Sequence, residues 1–428
     1  MLNLFRPRRK TEAKSTVDGD TEIERRLARI ERLVARIYRS VERVKLHTSV
    51  VLEPTRALAL LASGQRIYVD PRDRGGAVNL LSDGKYEEDE IAVLRRYLGP
   101  GSVVLDIGAN YGVYSISAAP HIRPGGRVIG FEPNPHICDL FRGSIYVNGL
   151  TDVVEVRRLG VHNTNGSLRF LIDETGPGGA HIVGPDFVAA DGTTVLDVPV
   201  VRLDDHLPGD FVADAIKIDV EGHEESVLRG MTGLIARSPN VVILMELFYS
   251  FFPDDETFQR FIAFINEDLG LTISRIEAYA VLTPGTVESL RGTTGSVLLS
   301  KLPPTARPDL TIFPEQLYLG TGAALVGGEV RWAIEGFSAP DVIAHGPYVY
   351  LPRGYYRLYI DGDFEGAFTC VLLESSGDII AQYDVPRGTD FTATIPIVFD
   401  APSFEIAFWS VEGPAQMRFR RAELWKIG

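Results

Sequence analysis

Apolar side chains recur at Ile23, Leu27, Ile30, Val34, Ile37, Val41 and Val44, at alternating spacings of four and three. With Ile23 at position d of a heptad, Leu27, Val34 and Val41 take a and the remaining isoleucines and Val44 take d. Two positions in seven make a stripe narrower than a helix needs to pack on a globular core, so the spacing predicts a coiled-coil helix over residues 21–50. Isoleucine at d suits three or four strands better than a parallel dimer, which makes a homo-oligomer, trimer or tetramer, the expected assembly. The same stripe folded back on its own domain is the alternative. Residues 1–20, polar and punctuated by Gly and Pro, are expected to form a disordered basic tail.

From residue 51 to 302 the pattern changes to short apolar runs separated by helical stretches. "SVVLDIG", "GRVIGFE", "VVEVRRLGV", "AIKIDV", "VVILMEL" and "GSVLLSK" predict strands; "EDEIAVLRRYL", "NPHICDLFRGSIYVNG", "EESVLRGMTGLIA" and "ETFQRFIAFINED" predict helices. Such alternation implies an α/β fold, a doubly wound parallel sheet with crossover helices. Three prolines in "KLPPTARPDL" mark a linker over 303–308. Residues 309–428 then alternate with a period of two, as in "YYRLYIDG", "SFEIAFWSV" and "QMRFRRAELWKI", which predicts an all-β sandwich, jelly-roll-like. Its Trp332, Trp409, Trp425 and tyrosines suit either core packing or stacking on sugar rings.

Composition narrows the function classes. A formal charge of -14 argues against a nucleic-acid partner, although residues 1–47 carry 13 Lys/Arg against 7 Asp/Glu. That basic end could make peripheral membrane contact; no run approaches the ~18 apolar residues of a membrane span, and no apolar segment follows the first basic residues as in a secretory signal. Only Cys138 and Cys370 occur, far apart, which excludes a disulfide framework and fits a cytoplasmic protein.

The candidate chemistry sits at strand ends. "VVLDIGANYG" closes a strand with Asp106 and turns through Gly108, Asn110, Tyr111 and Gly112, without the G-x-G-x-x-G of a pyrophosphate site. Asp106 suits a cationic amino-acid end of a ligand. The next strand ends "GFEPNP", where Glu132, followed by Pro133 and Asn134, can accept both hydroxyls of a ribose. Nicotinamide and S-adenosylmethionine sites share such an acid, and the missing pyrophosphate turn favours the second. "AIKIDVEGHEESVLRG" then crowds Asp219, Glu221, His223, Glu224 and Glu225 at the end of a buried run. The last two fall in the first turn of a helix, where acids stabilise the macrodipole. Asp219, Glu221 and His223, with Glu246 ending "VVILME", are the candidates for taking a proton. Two acids could also hold a divalent metal, but no spacing demands one.

In order and spacing, "GSVVLDIGANYGVYSISAA", "GRVIGFEPNP", "VRLDDHL" and "AIKIDVEGHEESVLRGM" resemble the FkbM-type methyltransferases over about residues 80–302. The resemblance implies a class I, Rossmann-like fold, S-adenosylmethionine as cofactor and O-methylation of a sugar hydroxyl on a glycan or its precursor. It also adds Glu87 of "KYEEDE" to the cofactor site and His181, in the Gly-rich stretch "ETGPGGAHIVGPD", to a substrate loop. Val201-Arg202-Leu203 departs from the family, which often has Thr before the Leu-Asp. Competing readings are a non-catalytic assembly protein that organises glycan enzymes and, third, a nicotinamide-dependent oxidoreductase.

Overall fold

The computed structural model describes residues 49–428 except 174–175, 185, 190–191, 278–279, 302–309, 321–322, 335–341, 352–353, 374–378, 398–400, 411–414 and 427–428. The expected tail, nearly all of the expected coiled coil and the linker lie outside these residues. Val50, the final residue of that expected helix, instead opens a strand.

Strands β1 (Val50–Glu53), β2 (Arg56–Leu60) and β3 (Arg66–Val69) form a small antiparallel sheet that the sequence pattern does not reveal. It docks on the helix Pro135–Val147, where Tyr68 N donates to Ser144 Oγ at 2.8 Å. The chain continues through β4 (Val103–Ile107), β5 (Arg127–Phe131), β6 (Val154–Arg157), β7 (Gly160–Val161), β8 (Gly166–Asp173), β9 (Gly176–Ile182) and β10 (Thr193–Val201). It then forms β11 (Ala215–Ile218), β12 (Val242–Phe248), β13 (Thr272–Glu277), β14 (Val281–Pro284) and β15 (Thr294–Ser300).

Eight strands make the central sheet, in the order β14-β13-β15-β12-β11-β4-β5-β6. β6, β5, β4, β11 and β12 are parallel, as the alternation predicts, while β15 runs antiparallel between β12 and β13. From β4 the chain winds outward through β5 to β6, then returns to β11 and winds the other way. The arrangement is doubly wound, and its order reverses between β4 and β11, where such sheets open a ligand crevice at the strands' carboxyl ends. All four residues of β11 are buried, because a strand covered on both faces must be apolar throughout; Lys217, and Asp106 beside it on β4, break that rule. Val104, Ile116 and Phe141 fill one layer against the sheet and Leu105, Ile216 and Phe258 the other.

Two expectations need correction. The helix expected over "EESVLRGMTGLIA" is two short helices, Glu224–Arg229 and Thr232–Arg237. They part at Gly230, where a Cβ would stand 2.2 Å from the His162 carbonyl oxygen. Asp204 of "VRLDDHL" then holds the second helix, accepting from Gly233 N and Leu234 N at 2.9 and 2.7 Å. The stretch around His181 is not a loop but strand β9, paired antiparallel to β8 in a four-stranded sheet of order β7-β10-β8-β9.

Beyond the central sheet, the described residues of 310–426 form two antiparallel sheets, one of six strands and one of five. Over their described residues, the strand runs expected there fall on observed strands. The sheets share one apolar core, in which Phe408 of the five-stranded sheet lies 5.1 Å from Phe419 and 6.2 Å from Phe364 of the other. Trp332 belongs to this core. Cys138 and Cys370 are both buried and free. Among the described residues no helix is long and apolar enough to cross a membrane.

Candidate active site

The turn after β4 is fixed by backbone packing. Gly108 N and Ala109 N both donate to Phe131 O at 3.0 Å, and Asp219 N donates to Ile107 O at 3.0 Å. Gly108 has φ +74°, and a Cβ there would lie 1.7 Å from the carbonyl oxygen of Asp219. Glycine is therefore required, because the end of β4 and the end of β11 meet backbone to backbone. Asn110, also left-handed at φ 49°, donates its N–H to Glu132 Oε2 at 2.8 Å, and Asn134 N donates to Glu132 Oε1 at 2.7 Å. Burial pushes the Glu132 carboxyl up to about 7, with help from the charges of Asp106 and Asp219 and against the two N–H donors.

On the other side of the crevice stands a pair of carboxyls. Asp219 Oδ2 lies 2.6 Å from Nζ of Lys217, and Asp219 is hydrogen-bonded to Glu246 across the adjacent strand end. Burial, then the charge and hydrogen bond of Asp219, push the Glu246 carboxyl up to about 9. That direction favours a proton on the Glu246 side of its hydrogen bond with Asp219. Lys217 is buried beside Asp219, Glu87 and Asp106, with its ammonium 5.0 Å over the Tyr114 ring. Burial alone would lower its pKa, but those three carboxylates hold it above the ordinary value.

Glu221 (φ 53°) and Gly222 (φ +91°) make the turn that follows, and Glu224 closes it by accepting from Val220 N and Gly222 N at 3.2 Å. Glu225 pairs with Arg229 one helical turn on. The helix-end role expected for these two acids therefore holds, with an added task for Glu224. His223 caps the helix start, its ring 6.0 Å from that of His162.

These parts enclose a cavity of about 280 Å³. Asp219, Glu221, His223 and Glu246, the four candidates for proton chemistry, all line it. So do Gly108, Asn110, Glu132 and Pro133 of the expected cofactor set. The other five members of that set lie off its wall, and each has another occupation. Asp106 is buried behind it, with Oδ2 accepting from Ser115 N and Oγ at 3.1 and 2.6 Å. Glu87 accepts the Tyr114 hydroxyl at 2.5 Å. Tyr111 is buried and donates its hydroxyl to Asp73 Oδ2 at 2.8 Å. Gly112 makes room for Phe141, whose ring would be 2.0 Å from a Cβ. Asn134 caps the helix Pro135–Val147, accepting from His136 N. Of the substrate-loop expectation, β9 delivers Gly176, Gly179 and Ile182 to the cavity.

Sequence reasoning missed part of the wall. Asp73, Arg74, Gly75 and Gly76 precede the sheet, and Tyr86 and Phe170 come from the small elements around it. The signal available was "DPRDRGG", a charge-dense turn with paired glycines. Two atoms of the site stand out: Asp106 Oδ1 and Asn110 Oδ1 are buried without a hydrogen-bond partner among the described residues. No group of three or more His, Cys, Asp or Glu among those residues is placed to hold a metal ion.

Residues 106–270 match the methyltransferase FkbM domain. Over 173 residues the chain is 28% identical to the hexuronic acid methyltransferase AglP of Haloferax volcanii, a match spanning 38% of this chain and 64% of the relative. Among solved structures, an O-methyltransferase of Bacillus cereus in complex with SAH matches at 18% identity and TM-score 0.32, covering 52% of this chain and 85% of that one. The O-methyltransferase TomG of Streptomyces achromogenes, in complex with SAM, matches at 14% identity and TM-score 0.31, covering 50% and 80%. The match to the methyltransferase FkbM domain begins at Asp106, the penultimate residue of β4, and runs past β12 to residue 270.

Proposed function

We propose that this domain transfers a methyl group from S-adenosylmethionine to a sugar hydroxyl. The observation that carries the proposal is the convergence of Glu132, Asp219, Glu221, His223 and Glu246 on one cavity, at the point where the sheet order reverses. The relative named above acts, by its name, on a hexuronic acid, which supports a sugar acceptor.

The residues present fit the cofactor. Glu132 spends one lone pair of each oxygen on a backbone N–H and keeps the others for ribose hydroxyls. Asn110 Oδ1, buried and unpartnered on the cavity wall, calls for a donor from a ligand. Bound here, S-adenosylmethionine supplies an electrophilic methyl group. The protein must then position the acceptor and remove its proton. Asp219 already accepts from Lys217 and from Glu246, so it orients a hydroxyl better than it takes a proton. Glu246, its carboxyl raised by burial and by the Asp219 charge, is better suited to holding a proton in the hydrogen bond with Asp219 than to starting as the base. His223, at the turn beside them, is the proposed proton acceptor, with Glu221 next to it on the same turn. A coiled coil within residues 21–48, ahead of the strand that opens at Val50, the oligomer it would build and a saccharide-gripping role for the C-terminal sheets remain part of the proposal on sequence grounds alone.

Calorimetric titration of the full chain with S-adenosylmethionine tests the reading. Saturable binding is expected, and heat indistinguishable from dilution at millimolar ligand would end it.

A further inference from the structure

We infer that Arg74 is the carboxylate-binding group of this cavity, an inference that rests on the cofactor and sugar reading above. Five acids line the wall: Asp73, Glu132, Asp219, Glu221 and Glu246. Arg74 is the single Lys or Arg among the described lining residues. Its side chain is exposed and makes no ion pair or hydrogen bond with any described residue.

The backbone around Arg74 is held with unusual care. Asp70 is fully buried and takes the fork of Arg72, with Nε at 3.0 Å and Nη2 at 2.7 Å, and also His136 Nε2 at 2.9 Å. Asp73 is 3% exposed and accepts the Tyr111 hydroxyl and Gly75 N, both at 2.8 Å. Burying a carboxylate is costly unless its hydrogen bonds are made good, so two such anchors within four residues fix this turn rigidly. The guanidinium of Arg74, directly after Asp73, stays uncommitted, whereas Arg72 is consumed by Asp70. A planar fork matches a carboxylate in two parallel bonds. A phosphate dianion would meet roughly twice the repulsion from the surrounding acids, so the wall favours a single negative charge.

A carboxylate could reach Arg74 from either ligand of the reaction: the amino-acid end of S-adenosylmethionine, or a uronic acid acceptor. Calorimetry on the full-length wild type, Arg74→Gln and Arg74→Lys separates these sources. The probes are S-adenosylmethionine, its decarboxylated form, and glucuronate or glucose added to the S-adenosylhomocysteine complex. If the cofactor carboxylate is read, Arg74→Gln weakens S-adenosylmethionine about tenfold to a hundredfold, the worth of a charge-assisted hydrogen bond, and leaves the decarboxylated form unchanged. If the acceptor is read, glucuronate weakens by that factor while glucose and S-adenosylmethionine do not. Arg74→Lys recovers part of the loss in either case. Arg74→Gln that binds S-adenosylmethionine and glucuronate as the wild type does overturns the inference alone. A wild type that binds no S-adenosylmethionine overturns it together with the proposed function.

Discussion

The two folded parts of the chain treat charge in opposite ways. In the α/β part, Asp70, Asp73, Asp106, Glu132, Lys217 and Glu224 are buried, most of them within or next to the cavity wall. In the C-terminal sheets the buried polar side chains among the described residues are Thr369 and Ser410, both uncharged. There the charges sit outside, as where Arg420 pairs with Asp361 and Asp363 on the outer face of the six-stranded sheet. Desolvating an ion opposes folding and is retained where it serves a purpose beyond stability. The buried charges thus concentrate around the cavity, while the described C-terminal core is apolar apart from two hydroxyls.

The largest expected effect is on turnover. Asp219→Asn and His223→Ala should each lower it ~10²–10⁴-fold with little change in cofactor affinity. Asp361→Asn, an acid in the other part, should leave it unaltered; steady-state kinetics on the three variants decides whether the contrast is functional. Next is the buried cation. Lys217→Met strands Asp106 and Asp219 without their ammonium and should cost about 3–5 kcal/mol, read from urea unfolding. Phe408→Ala should cost a similar ~3–5 kcal/mol through an empty core site, but without the pH dependence that Lys217→Met brings.

Smaller is Glu132→Ala, expected to weaken S-adenosylmethionine by ~1.5–3 kcal/mol, or tenfold to a hundredfold in Kd, with unchanged affinity removing the ribose assignment. Glu246 gives a gentler, pH-borne signature. Its folded pKa, about 9, lies above the unfolded value of 4.5, so its contribution is complete below the unfolded value. It is lost progressively as pH rises through 9, at most about 1.4 kcal/mol per pH unit. Glu246→Gln should flatten the fall in urea midpoint between pH 6 and 9; an equal slope in both proteins would contradict the raised pKa. The smallest change concerns the N-terminal segment. Deleting residues 1–47 should lower the mass seen by light scattering to that of a smaller assembly, yet leave cofactor affinity where it was.

What the sequence made legible follows the same division. β4, β5, β11 and β12 are continuous apolar runs because both faces are covered, so their ends, and with them Glu132 and Asp219, could be located directly. Glu246 could be located too, but not its proton, which depends on Asp219 arriving from a strand many residues earlier. Tyr111 and Gly112 fit a ligand turn by spacing alone. Phe141 and Asp73 claim them instead, and a glycine making room for a ring has the same one-letter code as one making room for a cofactor. Asp73, Arg74 and Tyr86 reach the wall only through tertiary folding of the segment before the sheet, which no local period announces. The hairpin of β8 and β9 escaped because its half-exposed residues and many glycines resemble a loop.

The missing Cβ of Gly108 limits how this site could be redesigned. With the Asp219 carbonyl only 1.7 Å from where that atom would sit, the turn after β4 and the strand tip carrying Asp219 are locked together. Neither can be reshaped without displacing the other. A laboratory seeking a different ligand should leave that floor alone and diversify the β8–β9 pair, which brings Phe170, Gly176, Gly179 and Ile182 to the cavity.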